Sequence, residues 1–218
     1  MSPLNKLTAA PRLNGRLVAY ATLAGVALAA PAVAKAQVFN SGTVNINIPS
    51  TTAGVYLNVV TGVFNIAPAS APGWDVNPWG ATGLGLFSPT NPTGGAYVIT
   101  ATNFAANLLP GAVVSAASLF GSNGSAAGNS AQFALNSANN FIGFRFLNEA
   151  TNAIHYGYMQ IALGGTAGGQ PRSIVSYSYQ MTPGAAITVV PEPTTTALLG
   201  LMAVGAVGVR AWRKRKAA

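Results

Sequence analysis

The sequence predicts an all-β domain, an antiparallel β-sandwich of jelly-roll type, set between an N-terminal signal helix and a C-terminal transmembrane helix. Three observations predict it. Charged residues make up 6% of the 218 residues, with 25 Gly and 14 Pro, whereas an ordinary soluble domain is about a quarter charged; long charged helices are thereby disfavoured and short strands joined by turns favoured. Apolar and polar residues alternate with period two in several stretches, the pattern of a strand with one face in a core and one in water. Each end of the chain carries an uncharged apolar run beside basic residues.

The first element is the N-terminal run. Lys6, Arg12 and Arg16 precede the apolar stretch 17–30, which ends at Pro31 ahead of Ala34-Lys35-Ala36. This is the order of a secretory signal peptide, with small residues at −3 and −1 of a cut that leaves Gln37 as the first mature residue. At about 14 residues the run is short for a bilayer that needs about 20. Residues 1–36 are therefore expected to be removed by signal peptidase.

The strands follow in chain order. Val44, Ile46 and Ile48 alternate with Thr43, Asn45 and Asn47; Ile142, Phe144 and Phe146 with Gly143 and Arg145; Val175, Tyr177, Tyr179 and Met181 with Ser176, Ser178 and Gln180. Ile142, Phe144, Phe146, Val175, Tyr177 and Tyr179 are the expected core. Weaker strands are expected over 54–60, 62–66, 96–102, 112–119, 154–163 and 186–190. Pro72-Gly73, Asn77-Pro78, Pro110-Gly111 and Pro183-Gly184 supply the fixed or positive φ of tight reversals, and 164–170 (GGTAGGQ) reads as a flexible hairpin tip. Sixteen Asn within 37–190 provide turn formers and neutral hydrogen-bonding surface in place of charge. Asn123-Gly124-Ser125 fits a glycosylation sequon but reads as a turn.

The last element is the tail. Pro191-Glu192-Pro193 and three threonines lead into the apolar run 197–209, then Arg210, Trp212 and the basic cluster Arg213, Lys214, Arg215 and Lys216. Residues 194–212 as a helix would span about 28 Å, close to the hydrocarbon thickness of a bilayer. Arg210 with the terminal cluster forms a stop-transfer signal that keeps the end cytoplasmic. Three segments result: a signal peptide at 1–36, an exported domain at 37–190 and a membrane tail at 191–218.

The tripeptide Pro191-Glu192-Pro193, the single apolar run and the terminal basic cluster, behind an N-terminal signal peptide, resemble the tail of PEP-CTERM proteins. The apolar run here is rather short and Gly-interrupted. The resemblance implies recognition by a membrane-embedded exosortase, removal of the helix, and release or re-anchoring of the exported domain at the surface of an exopolysaccharide-making Gram-negative bacterium. The stretches 141–146 (FIGFRF), 155–160 (HYGYMQ) and 177–180 (YSYQ) are similar to a tract common in PEP-CTERM ectodomains, with Tyr158 where Trp is more usual. That tract implies no activity.

Charge and chemistry exclude several functions. The formal charge of +8 divides into +4 before residue 37 and +4 after residue 190, leaving 37–190 neutral, with Arg145 and Arg172 against Asp75 and Glu149. No basic surface able to track phosphates can be built there, so nucleic-acid binding is excluded. One His, no Cys and two carboxylates in that segment fall short of a zinc or calcium site, and no cofactor is expected. A serine triad lacks a nucleophile elbow, and nothing places Asp75 beside Glu149 as a glycosidase pair. His155 reads as a buried, hydrogen-bonded strand residue and Arg145 as a partner of Glu149. No catalytic residue is expected.

Two readings of function stand. One is a non-enzymatic surface or matrix protein delivered to an exopolysaccharide-rich surface. The alternative is a carbohydrate-binding module in which Trp74 and Trp79, with Asp75 between them and Tyr156 or Tyr158 nearby, stack on sugar rings. Trp residues in a Gly/Pro-rich loop also plug the ends of sandwiches. Exposure of both indoles on one concave face favours the second reading and burial favours the first.

Overall fold

A computed structural model describes residues 37–89, 95–121 and 132–191. The chain divides into two units, Met1–Lys35 and Ala36–Ala218, and every described residue falls in the second. The expected signal and membrane helices and the sequon at Asn123 lie outside the described residues. Among those residues no helix is long and apolar enough to cross a membrane.

The described chain is all-β and antiparallel. Its strands are β1 (Val38–Asn40), β2 (Ile46–Asn47), β3 (Tyr56–Leu57), β4 (Phe64–Asn65), β5 (Asn77–Trp79), β6 (Gly85–Phe87), β7 (Ala96–Val98), β8 (Val113–Val114), β9 (Phe120–Gly121), β10 (Ser137–Asn148), β11 (Ala153–Leu163), β12 (Arg172–Gln180) and β13 (Ile187–Thr188), with one 3₁₀ turn at Pro68–Ser70. Seven strands make one sheet in the order β1-β12-β11-β10-β7-β9, with β2 also on β12; β3-β4, β5-β6 and β8-β13 are separate two-stranded ribbons. Among the described residues the strands form one long sheet and three short ribbons, without the two matched sheets that mark a jelly-roll sandwich.

The meander β10-β11-β12 is the frame, and alternation explains its inner face. Ile142 pairs with Met159, Phe144 with Gly157 and Phe146 with His155; Gly157 and Met159 pair onward with Tyr179 and Tyr177. These residues line the larger core with Leu57, Val59, Val76, Leu84 and Leu86 from the ribbon region. Val175 is the exception among the expected core residues. The ladder jumps from Gln160↔Ser176 to Ile161↔Ile174, so Val175 is the extra residue of a bulge, half-buried, and Ile174 takes the core position. Its carbonyl accepts the N–H groups of both Val44 and Asn45, so the bulge holds the irregular N-terminal segment against the sheet edge.

The face expected to meet water is covered as well. Val98, Val114, Phe141, Tyr156, Tyr158, Ile187 and Val189 form a second core, and Ser176, Ser178 and Gln180 are buried. A Cβ on Gly143 would lie 2.7 Å from Val98 and 2.9 Å from Val114, so this glycine lets the covering layer approach the sheet. The expected hairpin tip is likewise packed down. Ala167 is buried, Ser50 Oγ donates to Gly168 O at 2.6 Å, and a Cβ on Gly168 would lie 2.4 Å from the Thr82 backbone. Three reversals expected from Pro-Gly pairs carry positive φ, at Gly73 (64°), Gly111 (88°) and Gly184 (69°).

Candidate functional site

The loop running from Gly73 into β5 carries both indoles and Asp75, and Asn58 fixes its start. Asn58 Nδ2 donates to Pro72 O at 3.0 Å and to Gly73 O at 2.8 Å, while Oδ1 accepts the N–H groups of Val60 at 3.0 Å and Thr61 at 2.9 Å. One buried amide thus closes two loops. Gly73 is required there, since its φ is positive and a Cβ would lie 2.8 Å from Glu149 Oε1.

Asp75 turns inward. It is 3% exposed, and Oδ2 accepts the Val59 N–H at 2.8 Å. Burial pushes its pKa from 3.8 up to about 8; the Val59 hydrogen bond opposes the rise and the charge of Glu149 adds to it. At neutral pH the carboxyl therefore carries its proton. Its Oδ2 thereby ties the loop to the turn that carries Val59.

The indoles are half-buried and face their own neighbours. Trp74 meets Tyr56 edge-on at 4.9 Å and stacks on Phe87 at 5.7 Å. Trp79 lies across its hairpin partner Gly85, where a Cβ would sit 2.7 Å from the indole, and its Nε1 is buried without a hydrogen-bond partner. Tyr156 and Tyr158 do not join them. Both project into the second core on the opposite face of the sheet, 6% and 5% exposed. Tyr156 stacks on Phe120 at 5.9 Å. The Tyr158 hydroxyl donates to Val190 O at 2.8 Å and accepts the Val190 N–H at 3.3 Å.

The remaining titratable groups separate. Glu149 leans on the Gly73 loop beside Asp75, a proximity that nothing in the sequence indicates. Arg145 points to the other face, 4.8 Å over the Phe120 ring, so its expected pairing with Glu149 does not form. His155 is 2% exposed, stacked on Phe146 at 5.5 Å. Its Nδ1 lies 2.7 Å from Gln180 O; a carbonyl only accepts, so the proton sits on Nδ1. Nε2 is buried without a partner. Among the described residues no three His, Cys, Asp or Glu side chains gather as a metal site would require.

Arg172 is the buried group that sequence reasoning passed over. At 1% exposure its guanidinium donates to Ile48 O at 3.0 Å, Gly83 O at 3.1 Å, Ala167 O at 2.9 Å, Pro49 O at 2.5 Å and Gly80 O. All five donors meet backbone carbonyls, which tie three loops to the start of β12. The only advance signal was an arginine amid a Gly-rich, otherwise uncharged stretch.

The sorting residues sit at the boundary of the described chain. Gln37 O accepts the Met181 N–H at 2.8 Å, and Pro191 is the last described residue. Ala34, Ala36, Glu192, Pro193, Arg210, Arg213, Lys214, Arg215 and Lys216 lie outside the described residues. No curated protein and no solved structure matches the chain. Residues 189–216 match the PEP-CTERM protein-sorting motif. The chain therefore carries a C-terminal PEP-CTERM protein-sorting motif, which implies processing by an exosortase-type enzyme and export to the cell surface.

Proposed function

We propose that this chain is a non-enzymatic surface or extracellular-matrix protein, made as a membrane-anchored precursor in a Gram-negative bacterium and associated after sorting with exopolysaccharide. The sorting motif over 189–216 carries the reading, because it assigns a destination to a domain with few reactive groups. Asp75 is buried and accepts the Val59 N–H of the neighbouring turn, Tyr156 and Tyr158 turn away from the indoles, and the exposed parts of Trp74 and Trp79 are partial. These placements support a structural role over a carbohydrate-binding module built on stacking rings.

Two experiments test the proposal. Replacing Pro191, Glu192 and Pro193 with alanine should leave export unchanged and retain the tail, as read by intact-mass analysis of surface material. Wild-type surface protein that still carried residues 213–218 would overturn the sorting step. The double variant Asp75→Asn/Glu149→Gln should keep its association with extracted exopolysaccharide, since it removes the only carboxylates of 37–190. Loss of that association with the fold retained would overturn the structural reading in favour of a carboxylate-dependent binding site, and a turnover of the polysaccharide by wild type that the double variant lacks would overturn the non-enzymatic one.

A further inference from the structure

The ribbon β8-β13 has an inner and an outer face, set by its pairing. Ile187 pairs with Val114 and Thr188 with Val113; the Gly111 N–H donates to Val189 O at 2.9 Å and the Val189 N–H to Ala112 O at 2.8 Å. Val114, Ile187 and Val189 turn into the second core, exposed by 2% or less. Their alternates turn out. Val113 is 55% exposed, Val190 59%, and Leu109, in the turn that abuts the same end, 76%. No charged residue occurs between 103 and 144 or between 173 and 191, so the patch has no charge from its own strands and turns.

This patch lies where the chain leaves the fold. The Tyr158 hydroxyl holds both the carbonyl and the N–H of Val190, so the chain is fixed to that residue. Six residues, 191–196, then separate it from the apolar run 197–209. Even fully extended, that tether places Val190 within about 25 Å of the start of the run. Proline at 191 and 193 restricts it further.

We propose that the outer face of the β8-β13 ribbon, through Leu109, Val113 and Val190, is a lipid-contact surface that rests on the bilayer in the unprocessed precursor. This rests on the reading of 197–209 as a membrane anchor. With the anchor inserted, the ribbon is the folded surface closest along the chain to the headgroups, and its apolar side chains leave water by settling there. Removing the tail takes away the tether, and three side chains alone are too small a patch to keep the domain bound. Docking and release are then coupled to processing.

The chain has no Cys, so single labels are clean. Val113→Cys, Leu109→Cys, Phe64→Cys and Gly205→Cys variants of the full chain, each carrying an environment-sensitive dye, are reconstituted in phosphatidylethanolamine/phosphatidylglycerol vesicles containing a nitroxide lipid. Phe64, 51% exposed on a different ribbon, is the control. The expected result is a blue shift and loss of most emission at 109, 113 and 205, with position 64 unquenched. Quenching at 205 alone overturns the lipid-contact proposal and leaves the anchor intact. No quenching at 205 overturns both. Quenching at all four sites, or protection at 113 that depends on protein concentration and not on the nitroxide, would mean adsorption or self-association and also overturns it.

Discussion

At the scale of single residues, Arg172 and Asp75 show how a domain with so little charge uses what it has. Arg172 pairs with no carboxylate among the described residues, and five carbonyl dipoles solvate it instead; burial lowers its pKa from the usual value. Arg172→Met would leave those carbonyls unpaired and loosen three loops together, and should cost about 3 kcal/mol or more in chemical denaturation. Arg172→Lys keeps the charge with fewer donors and should recover only part of the loss. Asp75 works by staying neutral. With its folded pKa raised from 3.8 to about 8, its stabilising contribution is complete below the unfolded value, declines as pH rises between the two and is gone above the folded one. Asp75→Asn keeps an acceptor for the Val59 N–H without titrating. It should match wild type in acid and exceed it in alkaline buffer by at least about 1 kcal/mol, since a one-unit displacement is about 1.4 kcal/mol; thermal melts across that range read the difference.

At the scale of elements, the central row of the sheet depends on a missing side chain. Gly157 sits between Phe144 and Tyr179, and a Cβ there would lie 2.6 Å from the Phe144 ring and 2.7 Å from Ser178 O. The ring can yield, but the backbone oxygen cannot move without breaking the ladder. Gly157→Ala should therefore destabilise by about 1–3 kcal/mol, whereas Ala at Gly42, with nothing within 4 Å, should cost only the strain of its positive φ. Tyr97 joins elements in another way. Its hydroxyl accepts the Asn77 N–H at 3.0 Å and donates to Phe87 O at 2.7 Å, pinning the β5-β6 ribbon to β7. Tyr97→Phe strands the Asn77 N–H and should lower stability by about 1–3 kcal/mol, measured by urea unfolding.

At the scale of the whole molecule, the described fold runs from the expected signal cut to the start of the sorting motif. The Gln37 carbonyl is already paired with Met181, one residue past the expected signal cut, and Val190 is clasped just ahead of Pro191. Cleavage after Ala36 should therefore leave the sheet unaltered. Ala36→Phe, which puts a large ring at the −1 position, should block removal of the signal and give an intact mass larger by residues 1–36, while the secreted domain keeps its unfolding midpoint. A midpoint that fell would show that the leader reaches into the fold.

Local patterns determined much of this protein from sequence alone. The inner face of β10, the all-β class, the Pro-Gly reversals and the sorting tail each depend on residues a few positions apart, and short-range sterics or a contiguous motif suffice to specify them. Tertiary structure decided what distant segments do to one another. Alternation identified two faces on the meander but not that a ribbon from 113–114 and 187–188 would bury the second, which is why Tyr156, Tyr158, Ser178 and Gln180 turned out to be core. A bulge that shifts Val175 out of phase leaves no local mark, because the N–H groups its carbonyl accepts come from residues 44 and 45. The meeting of Glu149 with the Gly73 loop and the five-carbonyl cradle of Arg172 are likewise contacts between chain segments tens of residues apart, whose approach is set by the packing of the whole domain.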